Sequence, residues 1–318
     1  MSAPVRPRPH RRAMRQLLVG FIPLLVIEAA VLALLAVRVS AAEGPLNSAT
    51  EVARATVVAT GRSPGGRGVA VTLDDGRRGK VVADAPGDAA GVRRGTELTV
   101  GYDPGDPRNA TRFYVNGDAA HRRVEDLLFG LTVAVVVAVV TAVVTALRFL
   151  TRPRLRRAPA TQATASRVVV RQGLAVRSWL ELTTARGLRW LPVHWAPELA
   201  RLAPDSVIEL RGDPTRSRLV LPVVDGAELW PSGRLRTRPP RGDRRVADPD
   251  PEAAATGWGR QVRGDLVPVL IAPVLGILWA YLDGAGPGGF AVATALAAGV
   301  LFWLAQLLGS DPAPPPRD

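Results

Sequence analysis

The fold of this chain is decided by the stretch Leu127-Leu-Phe-Gly-Leu-Thr-Val-Ala-Val-Val-Val-Ala-Val-Val-Thr-Ala-Val-Val-Thr-Ala-Leu147, which contains no charged residue. A helix of about 17–25 apolar residues crosses the hydrocarbon core of a bilayer. Three further apolar stretches, at residues 16–37, 266–282 and 290–308, approach or reach that length. The sequence therefore predicts an integral membrane protein with four transmembrane helices.

Arginines at the ends of these stretches predict their orientation, because short cytoplasmic flanks carry an excess of Lys and Arg. Five arginines precede the first span and five lie at residues 148–157, directly after the second. The opposite flanks carry fewer arginines, and acidic residues partly offset them. We therefore expect both termini in the cytoplasm.

This orientation gives a complete domain organisation. It consists of a basic cytoplasmic tail at 1–15, transmembrane helices at 16–37, 127–147, 266–282 and 290–308, an extracytoplasmic β module at 39–126, a cytoplasmic β module at 151–238, a linker at 239–264 and a disordered tail at 309–318.

The net charge of +13 is distributed unevenly over this topology. Residues 38–126 hold 13 basic and 12 acidic side chains, whereas residues 148–263 hold 22 arginines and 11 acidic side chains. A basic cytoplasmic face attracts anionic lipid headgroups, by about 1 kcal/mol for each well-placed arginine. Nucleic acid is not an expected partner, because the sequence shows neither a reader motif nor an aromatic stacking platform.

Composition also indicates the source and excludes one class of chemistry. Lys80 is the single lysine among 41 basic residues, and this usage is typical of a GC-rich bacterial genome. We therefore expect a bacterial plasma membrane. The absence of cysteine excludes disulfides, thiol nucleophiles and thiolate metal sites.

The two regions between the spans share a pattern of short strands. Residues 95–104, Gly-Thr-Glu-Leu-Thr-Val-Gly-Tyr-Asp-Pro, align without gaps with residues 205–214, Asp-Ser-Val-Ile-Glu-Leu-Arg-Gly-Asp-Pro. Upstream in each region, alternating apolar residues are interrupted by turns that contain Gly, which is typical of hairpins. The fold class predicted is therefore membrane α+β, with two related small antiparallel β modules, each partly closed into a barrel or sandwich.

A motif at residues 102–110, Tyr-Asp-Pro-Gly-Asp-Pro-Arg-Asn-Ala, closes the first β-rich region. Together with the membrane spans that flank it, this motif resembles a large family of bacterial integral membrane proteins of unknown function. The resemblance covers roughly residues 16–150, and the second copy departs from the motif at residues 212–217. It implies the membrane architecture and no assigned activity.

Glu28 is the only charged residue within the apolar spans, and it lies near the centre of the first. A carboxyl group at that depth is costly to insert and usually faces protein or a water-filled cavity. With no basic residue at its depth, we expect a neutral Glu28 that forms a hydrogen bond between helices. Thr141 and Thr294 are the candidate partners in this intramembrane polar site.

Small residues recur every fourth position along the second span, and such stripes allow helices to approach closely. They predict a helix-packing face, used either in an intramolecular four-helix bundle or in a homo-oligomer. The stripe comprises Gly130, Ala134, Ala138, Ala142 and Ala146.

No catalytic, cofactor-binding or metal-binding residue is predicted, because the three histidines are scattered at positions 10, 121 and 194. Neither Ser178 nor the Asp74-Asp75 pair has a motif that supplies a catalytic partner. The sequence favours a noncatalytic scaffold, sensor-like or accessory factor with an unknown membrane protein partner. The alternatives are a transport or ion-relay component centred on Glu28 and a membrane-bound hydrolase.

The predicted orientation can be tested with reporter fusions. A reporter that works only in the cytoplasm should be active when it is fused after Asp318, because the arginine flanks retain both termini inside. Alkaline phosphatase, which is active only outside, should be active in a control fusion at residue 49. Phosphatase activity from the fusion after Asp318 would contradict the orientation.

Overall fold

The computed structural model describes residues 9–60, 68–82, 93–103, 105, 114–115, 118–254, 257–283 and 286–312. The chain forms two compact units. The first-sheet unit comprises residues 29–137, and the second-sheet unit comprises residues 1–28 and 138–318.

Four segments are helical over a length and hydropathy sufficient to span a membrane, as the sequence predicts. The third of these changes to 3-10 geometry between two α-helices, because Pro268 and Pro273 lack the N–H that a continuous helix needs. The helices are α1 (Pro9–Ser48), α2 (Asp118–Thr151), α3 (Pro197–Ala200), α4 (Trp258–Leu266), α5 (Ala272–Asp283) and α6 (Gly286–Leu308), with 3-10 turns at Pro153–Arg157 and Val267–Ile271.

The first-sheet unit contains an antiparallel sheet in the order β3-β2-β1-β4-β5. Alternation of apolar residues along its strands places one set of side chains on a single buried face, whose core includes Val57, Val71 and Val100. The strands are β1 (Glu51–Thr60), β2 (Gly68–Leu73), β3 (Arg78–Val82), β4 (Glu97–Tyr102) and β5 (Tyr114–Val115).

The second-sheet unit contains a seven-stranded antiparallel sheet in the order β11-β10-β9-β6-β7-β8, with β12 also paired to β6. Its five strands β8-β7-β6-β9-β10 follow the same order as β3-β2-β1-β4-β5 of the first sheet. The strands are β6 (Ala160–Gln172), β7 (Ala175–Thr184), β8 (Gly187–Val193), β9 (Ser206–Arg211), β10 (Leu221–Val224), β11 (Ala227–Glu228) and β12 (Asp243–Val246).

Both faces of the second sheet are buried. Leu180 and Leu182 point into the main core, which includes Leu199 beside α3. Trp179 directly precedes Leu180 in β7 and therefore points to the opposite face, where it packs with Trp190. Because both faces are covered, the strands of this sheet are apolar at consecutive positions as well as alternating ones.

Two predictions about these modules are wrong. The partial closure into a barrel or sandwich does not occur in the described strands, because both sheets are open. In the second sheet the outer edge of β8 pairs with single residues of an irregular segment, Pro231 and Arg236, and not with a strand. The segment 239–264, predicted as a linker, carries β12 and most of α4.

Helix α6 ends at Gly309, which has a φ of +71°. The Gly309 N–H donates to Gln306 O at 3.1 Å and the Ser310 N–H to Ala305 O at 3.2 Å, which is the pairing of a Schellman motif. The next residue turns towards the second sheet, because the Asp311 N–H donates to Val176 O at 2.8 Å. Residues 309–312, predicted as part of a disordered tail, therefore pack against β7.

Replacing Gly309 by alanine should destabilise the protein more than the same replacement at a glycine that has a similar φ but open space around it. A Cβ at Gly309 would lie 2.9 Å from Ser232 Cβ and 3.1 Å from His194 Nδ1. Gly309→Ala should therefore lower the free energy of unfolding by about 1–3 kcal/mol more than the backbone strain alone. Thermal unfolding followed by tryptophan fluorescence measures the difference.

The matched control is Gly226→Ala, in the turn between β10 and β11. Gly226 has a φ of +73°, and a Cβ there would have no atom within 4 Å. Equal melting temperatures for the two variants would contradict the close contact at Gly309.

Candidate functional site

Buried polar side chains are concentrated where α6 ends against the second sheet, and we call this cluster the polar junction. It draws on α1, α4, β6, β7, α6 with the turn that follows it, the residue after β8 and the segment after β11, so distant parts of the chain meet there. The polar junction comprises Gln16, Arg167, Arg177, Ser178, His194, Ser232, Gln261, Asp265, Gln306, Ser310 and Asp311.

A buried ion pair lies at the centre of the polar junction. Arg167 Nη2 is 2.9 Å from Asp311 Oδ2, and the two side chains are 7% and 0% exposed. Ser178, which is fully buried, donates to the same carboxylate and accepts from Arg167 Nε at 3.3 Å. Because β6 supplies Arg167 and β7 supplies Ser178, this pair fixes the chain after α6 against two neighbouring strands.

A second carboxylate, Asp265 at the end of α4, organises the helical side of the polar junction. Gln261 Nε2 donates to Asp265 Oδ2 at 3.0 Å and to Ser310 Oγ at 3.0 Å. Gln306 and Ser310 also donate to the Asp265 carboxylate. Three donors from α4, α6 and the following turn therefore surround a carboxylate that is 1% exposed.

His194 connects the second sheet to α1. Its Nδ1 lies 3.3 Å from Gln16 Oε1, and the ring is 3% exposed. Burial, together with the nearby charges of Arg148, Arg152 and Arg177, lowers the pKa of His194 to about 3. The imidazole is therefore neutral at physiological pH and serves as a structural hydrogen-bonding group.

Three further arginines beside His194 are satisfied mainly by backbone carbonyl groups. Arg152 Nε donates to Pro231 O at 3.1 Å, and Arg148 donates to Ser232 O. Arg177 Nε donates to Leu308 O at 3.0 Å, and burial lowers its pKa to about 10. These contacts tie the segment after β11 to α2 and to the end of α6.

Apolar contacts surround these polar groups. Leu221 of β10 and Trp230 pack in one cluster with Leu17 of α1 and with Trp303 and Leu307 of α6. Trp303 Nε1 also donates to Thr145 Oγ1 of α2 at 3.0 Å. Within the second-sheet unit, the sheet therefore packs directly on three helices.

The predicted intramembrane site is only partly assembled. Thr141 Oγ1 donates to Glu28 Oε1 at 3.1 Å, and Glu28 is 1% exposed. Among the described residues, Glu28 Oε2 and Thr294 Oγ1 have no hydrogen-bond partner. Thr294 instead packs against Gly276, where its hydroxyl oxygen would meet any added Cβ. Glu28 and Thr141 thus form a pair without Thr294.

The predicted helix-packing stripe follows the buried face of α2 over only part of its length. Ala134 is buried, Gly130 and Ala138 are half-buried, and Ala142 and Ala146 are exposed. Positions four residues apart rotate by about 40° at each step around a helix with 3.6 residues per turn. The buried face of α2 therefore moves to Thr141 and Thr145, and the packing of Ala142 and Ala146 against a second copy of the chain stays a prediction.

The groups considered for catalysis or metal binding have structural contacts. Asp75 accepts hydrogen bonds from Arg77, which lower the pKa of its exposed carboxyl group. Asp103 Oδ1 accepts from the Gly105 N–H at 2.8 Å, which is a turn contact. Within the described ranges, no three His, Cys, Asp or Glu side chains are grouped to hold a metal ion. The side chains of His10 and His121 lie outside the described residues.

Sequence reasoning missed the polar junction. One signal was present, since Gln16 and Gln306 are amides at the ends of otherwise apolar spans, where a polar side chain needs a partner. Asp311 gave no such signal, because it stands in a segment rich in Pro and Asp that is typical of disorder.

Neither a protein-family model nor a curated protein or solved structure matches this chain. The resemblance of residues 102–110 to a bacterial membrane protein family therefore stays a prediction. Function has to be inferred from the residues of the chain itself.

Acidification should destabilise the protein through His194. Its pKa is lowered on folding, so the unfolded chain binds more protons between about pH 6.5 and pH 3, and stability falls as the pH falls through that window. Between pH 6 and pH 5 this contributes a loss of about 1 kcal/mol. His194→Gln keeps a neutral hydrogen-bonding side chain and should lack that part of the loss.

Thermal unfolding at pH 5, 6 and 7 compares the two proteins. The melting temperature of the wild type should fall more steeply with acidification than that of His194→Gln. Parallel curves would show that His194 is not buried in its neutral form.

Proposed function

We propose that this chain is a noncatalytic, multi-pass scaffold or accessory factor of a bacterial plasma membrane, with both termini in the cytoplasm. Its second sheet is a cytoplasmic module that the polar junction holds rigidly against the membrane helices. The observation that carries this proposal is the buried ion pair between Arg167 and Asp311, which joins residues 144 positions apart.

The pairing of the buried polar groups supports a structural role. Ser178, Asp265 and Asp311 each make at least two hydrogen bonds within the polar junction. A catalytic site needs titratable groups that converge on a space open to substrate, whereas these groups face one another in the protein interior. Such a network is suited to fixing one arrangement of sheet and helices.

Two finer elements belong to the same proposal. The common strand order of the sheets and the alignment of residues 95–104 with 205–214 support an internal duplication, with one copy on each side of the membrane. The arginine excess of residues 148–263 supports contact with anionic lipid headgroups. A rigidly presented module is suited to a membrane protein partner or to a second copy of the chain.

An ion-relay component is the second candidate, and one observation favours it. Glu28 is a buried carboxyl group whose Oε2 has no hydrogen-bond partner among the described residues. Buried carboxyl groups within membrane spans often mark ion pathways. Relays usually chain several titratable groups, however, and Glu28 accepts its hydrogen bond from the hydroxyl of Thr141, which does not titrate.

Removing one partner of the buried ion pair should release the second sheet from the helices. Asp311→Ala leaves Arg167 buried and uncompensated, which should lower the free energy of unfolding by about 3–5 kcal/mol. The double variant Arg167→Met/Asp311→Leu removes both charges and should recover most of that stability. Amide hydrogen exchange of β6 and β7 should rise in the single variant and return towards wild type in the double variant.

Glu209→Ala is the matched control, since Glu209 and Arg211 form an ion pair in which both side chains are 39% exposed. Its loss should be below about 1 kcal/mol.

Cross-linking in native membranes should then capture a partner with the wild type and the double variant but not with Asp311→Ala. Ion flux that Glu28→Gln abolishes, or hydrolysis that Ser178→Ala abolishes, would contradict the scaffold.

A further inference from the structure

A cleft of about 760 Å³ in the second-sheet unit is lined mainly by polar and basic side chains, together with Pro214, Leu235 and Pro239. It lies beside β8, the turn after β9 and the segment between β11 and β12. Among the described residues that line it, none is acidic and none is aromatic. Six arginines line the cleft: Arg189, Arg216, Arg218, Arg236, Arg238 and Arg241.

Backbone hydrogen bonds hold the walls of this cleft together. The Trp190 N–H donates to Arg236 O at 2.8 Å, and the Arg236 N–H donates back to Trp190 O at 2.9 Å. The Leu235 N–H donates to Arg218 O at 2.8 Å, which joins the segment between β11 and β12 to the chain that follows β9. Gln172 also donates to Arg241 O. The arginines therefore project from a framework that exists before any ligand binds.

One guanidinium is also positioned by an aromatic ring. Arg236 lies 5.3 Å from the ring centroid of Trp179, which is fully buried. A guanidinium above an aromatic face is held by a cation–π interaction and loses less conformational freedom when it binds an anion. This contact distinguishes the cleft from a set of independent surface arginines.

The charge in the cleft is not balanced by the protein. Asp213 does not line the cleft but lies 3.7 Å from Arg216, and it already accepts from the Thr215 N–H and Oγ1 at 2.7 Å. Among the described residues, Arg218, Arg238 and Arg241 form no ion pair with a carboxylate. Like charges brought together in one concave site favour a bound anion.

We propose that this cleft binds a compact anion that carries two or more phosphate groups. Each guanidinium presents paired N–H donors that match the oxygens of a phosphate, and Ser217 and Thr237 supply hydroxyl donors in the same cleft. The volume is within the range of small-molecule sites, about 300–1,000 Å³. Without an aromatic lining, the cleft offers no platform for stacking a nucleobase, which favours a phosphate-rich ligand over a nucleotide.

Two sources supply this chemistry, the headgroup of a diphosphatidylglycerol lipid and a soluble polyphosphate. The proposal goes beyond the scaffold role, because that role depends on the polar junction and this site depends on none of its residues. A failure of one would leave the other unaffected.

The test uses the full-length protein in nanodiscs of phosphatidylcholine, with inorganic tripolyphosphate as the probe and calorimetry as the measurement. The cleft variant is Arg218→Gln/Arg238→Gln/Arg241→Gln, which removes three exposed guanidiniums and leaves Arg236 on Trp179. The control variant is Arg154→Gln/Arg157→Gln/Arg260→Gln, which removes the same charge from exposed positions elsewhere. Equal melting temperatures for all three proteins confirm that the substitutions preserve the fold.

The wild type should bind tripolyphosphate, and the cleft variant should bind it at least about 30-fold more weakly, since charged hydrogen bonds are lost. The control variant should change the affinity less than about threefold. Replacing the same three cleft arginines by lysine should give an intermediate affinity, because charge is kept and paired donors are lost. No binding by the wild type, or equal weakening by the cleft and control variants, overturns the proposal.

A second arm distinguishes the two sources. Nanodiscs that contain diphosphatidylglycerol are compared with nanodiscs of equal surface charge that contain phosphatidylglycerol. If the lipid headgroup occupies the cleft, it competes with tripolyphosphate. The wild type should then bind tripolyphosphate at least about tenfold more weakly in the nanodiscs that contain diphosphatidylglycerol, and the cleft variant should show no such difference. Equal binding of the wild type in both assigns the cleft to a soluble polyphosphate.

Discussion

The ion pair between Arg167 and Asp311 is the contact on which the second-sheet unit depends. Both side chains are almost fully buried, so each would retain an uncompensated charge without the other. A buried pair of this kind adds little stability compared with apolar residues of the same volume, but it strongly disfavours any arrangement that separates its partners. The end of α6 is therefore held at one position on β6 and β7, and the hydroxyl of Ser178 bonds to both members of the pair.

The two sheets share a strand order but bury their residues differently. The described core of the first sheet is a single small cluster, whereas the second sheet carries leucines on one face and tryptophans on the other. The second face is covered partly by arginines, since Arg177 and Arg236 each lie 5.3 Å from the ring centroid of Trp179. Additional strands and a longer segment after β11 thus give the second sheet surfaces that the shared strand order does not provide.

The fold was predictable from the sequence where the signal is local. Apolar length identified four helices, and alternation identified strands such as β4 and β9, because both patterns are read over a few neighbouring residues. That the second sheet stays open was not predictable. Closure depends on what pairs with the outer edge of β8, and Pro231 and Arg236 of an irregular segment pair there instead of a strand. The polar junction was not predictable for a similar reason. Its central contact joins positions 167 and 311, and the composition around Asp311 is typical of a disordered tail.

The distribution of arginine contacts explains why one basic region forms part of the fold and another forms a site. Near the helices, Arg148, Arg152 and Arg177 donate to carbonyl groups of residues that the fold has already brought there. Those guanidiniums are buried, so the structure has to satisfy them internally. In the cleft, five of the six arginines are exposed to solvent, so the fold does not have to satisfy their donors internally. Positive charges that stay in contact with solvent in a concave site cost the folded state little free energy. They remain able to attract and bind an anion. The overall charge of +13 therefore comprises two populations with different roles, and only their contacts distinguish them.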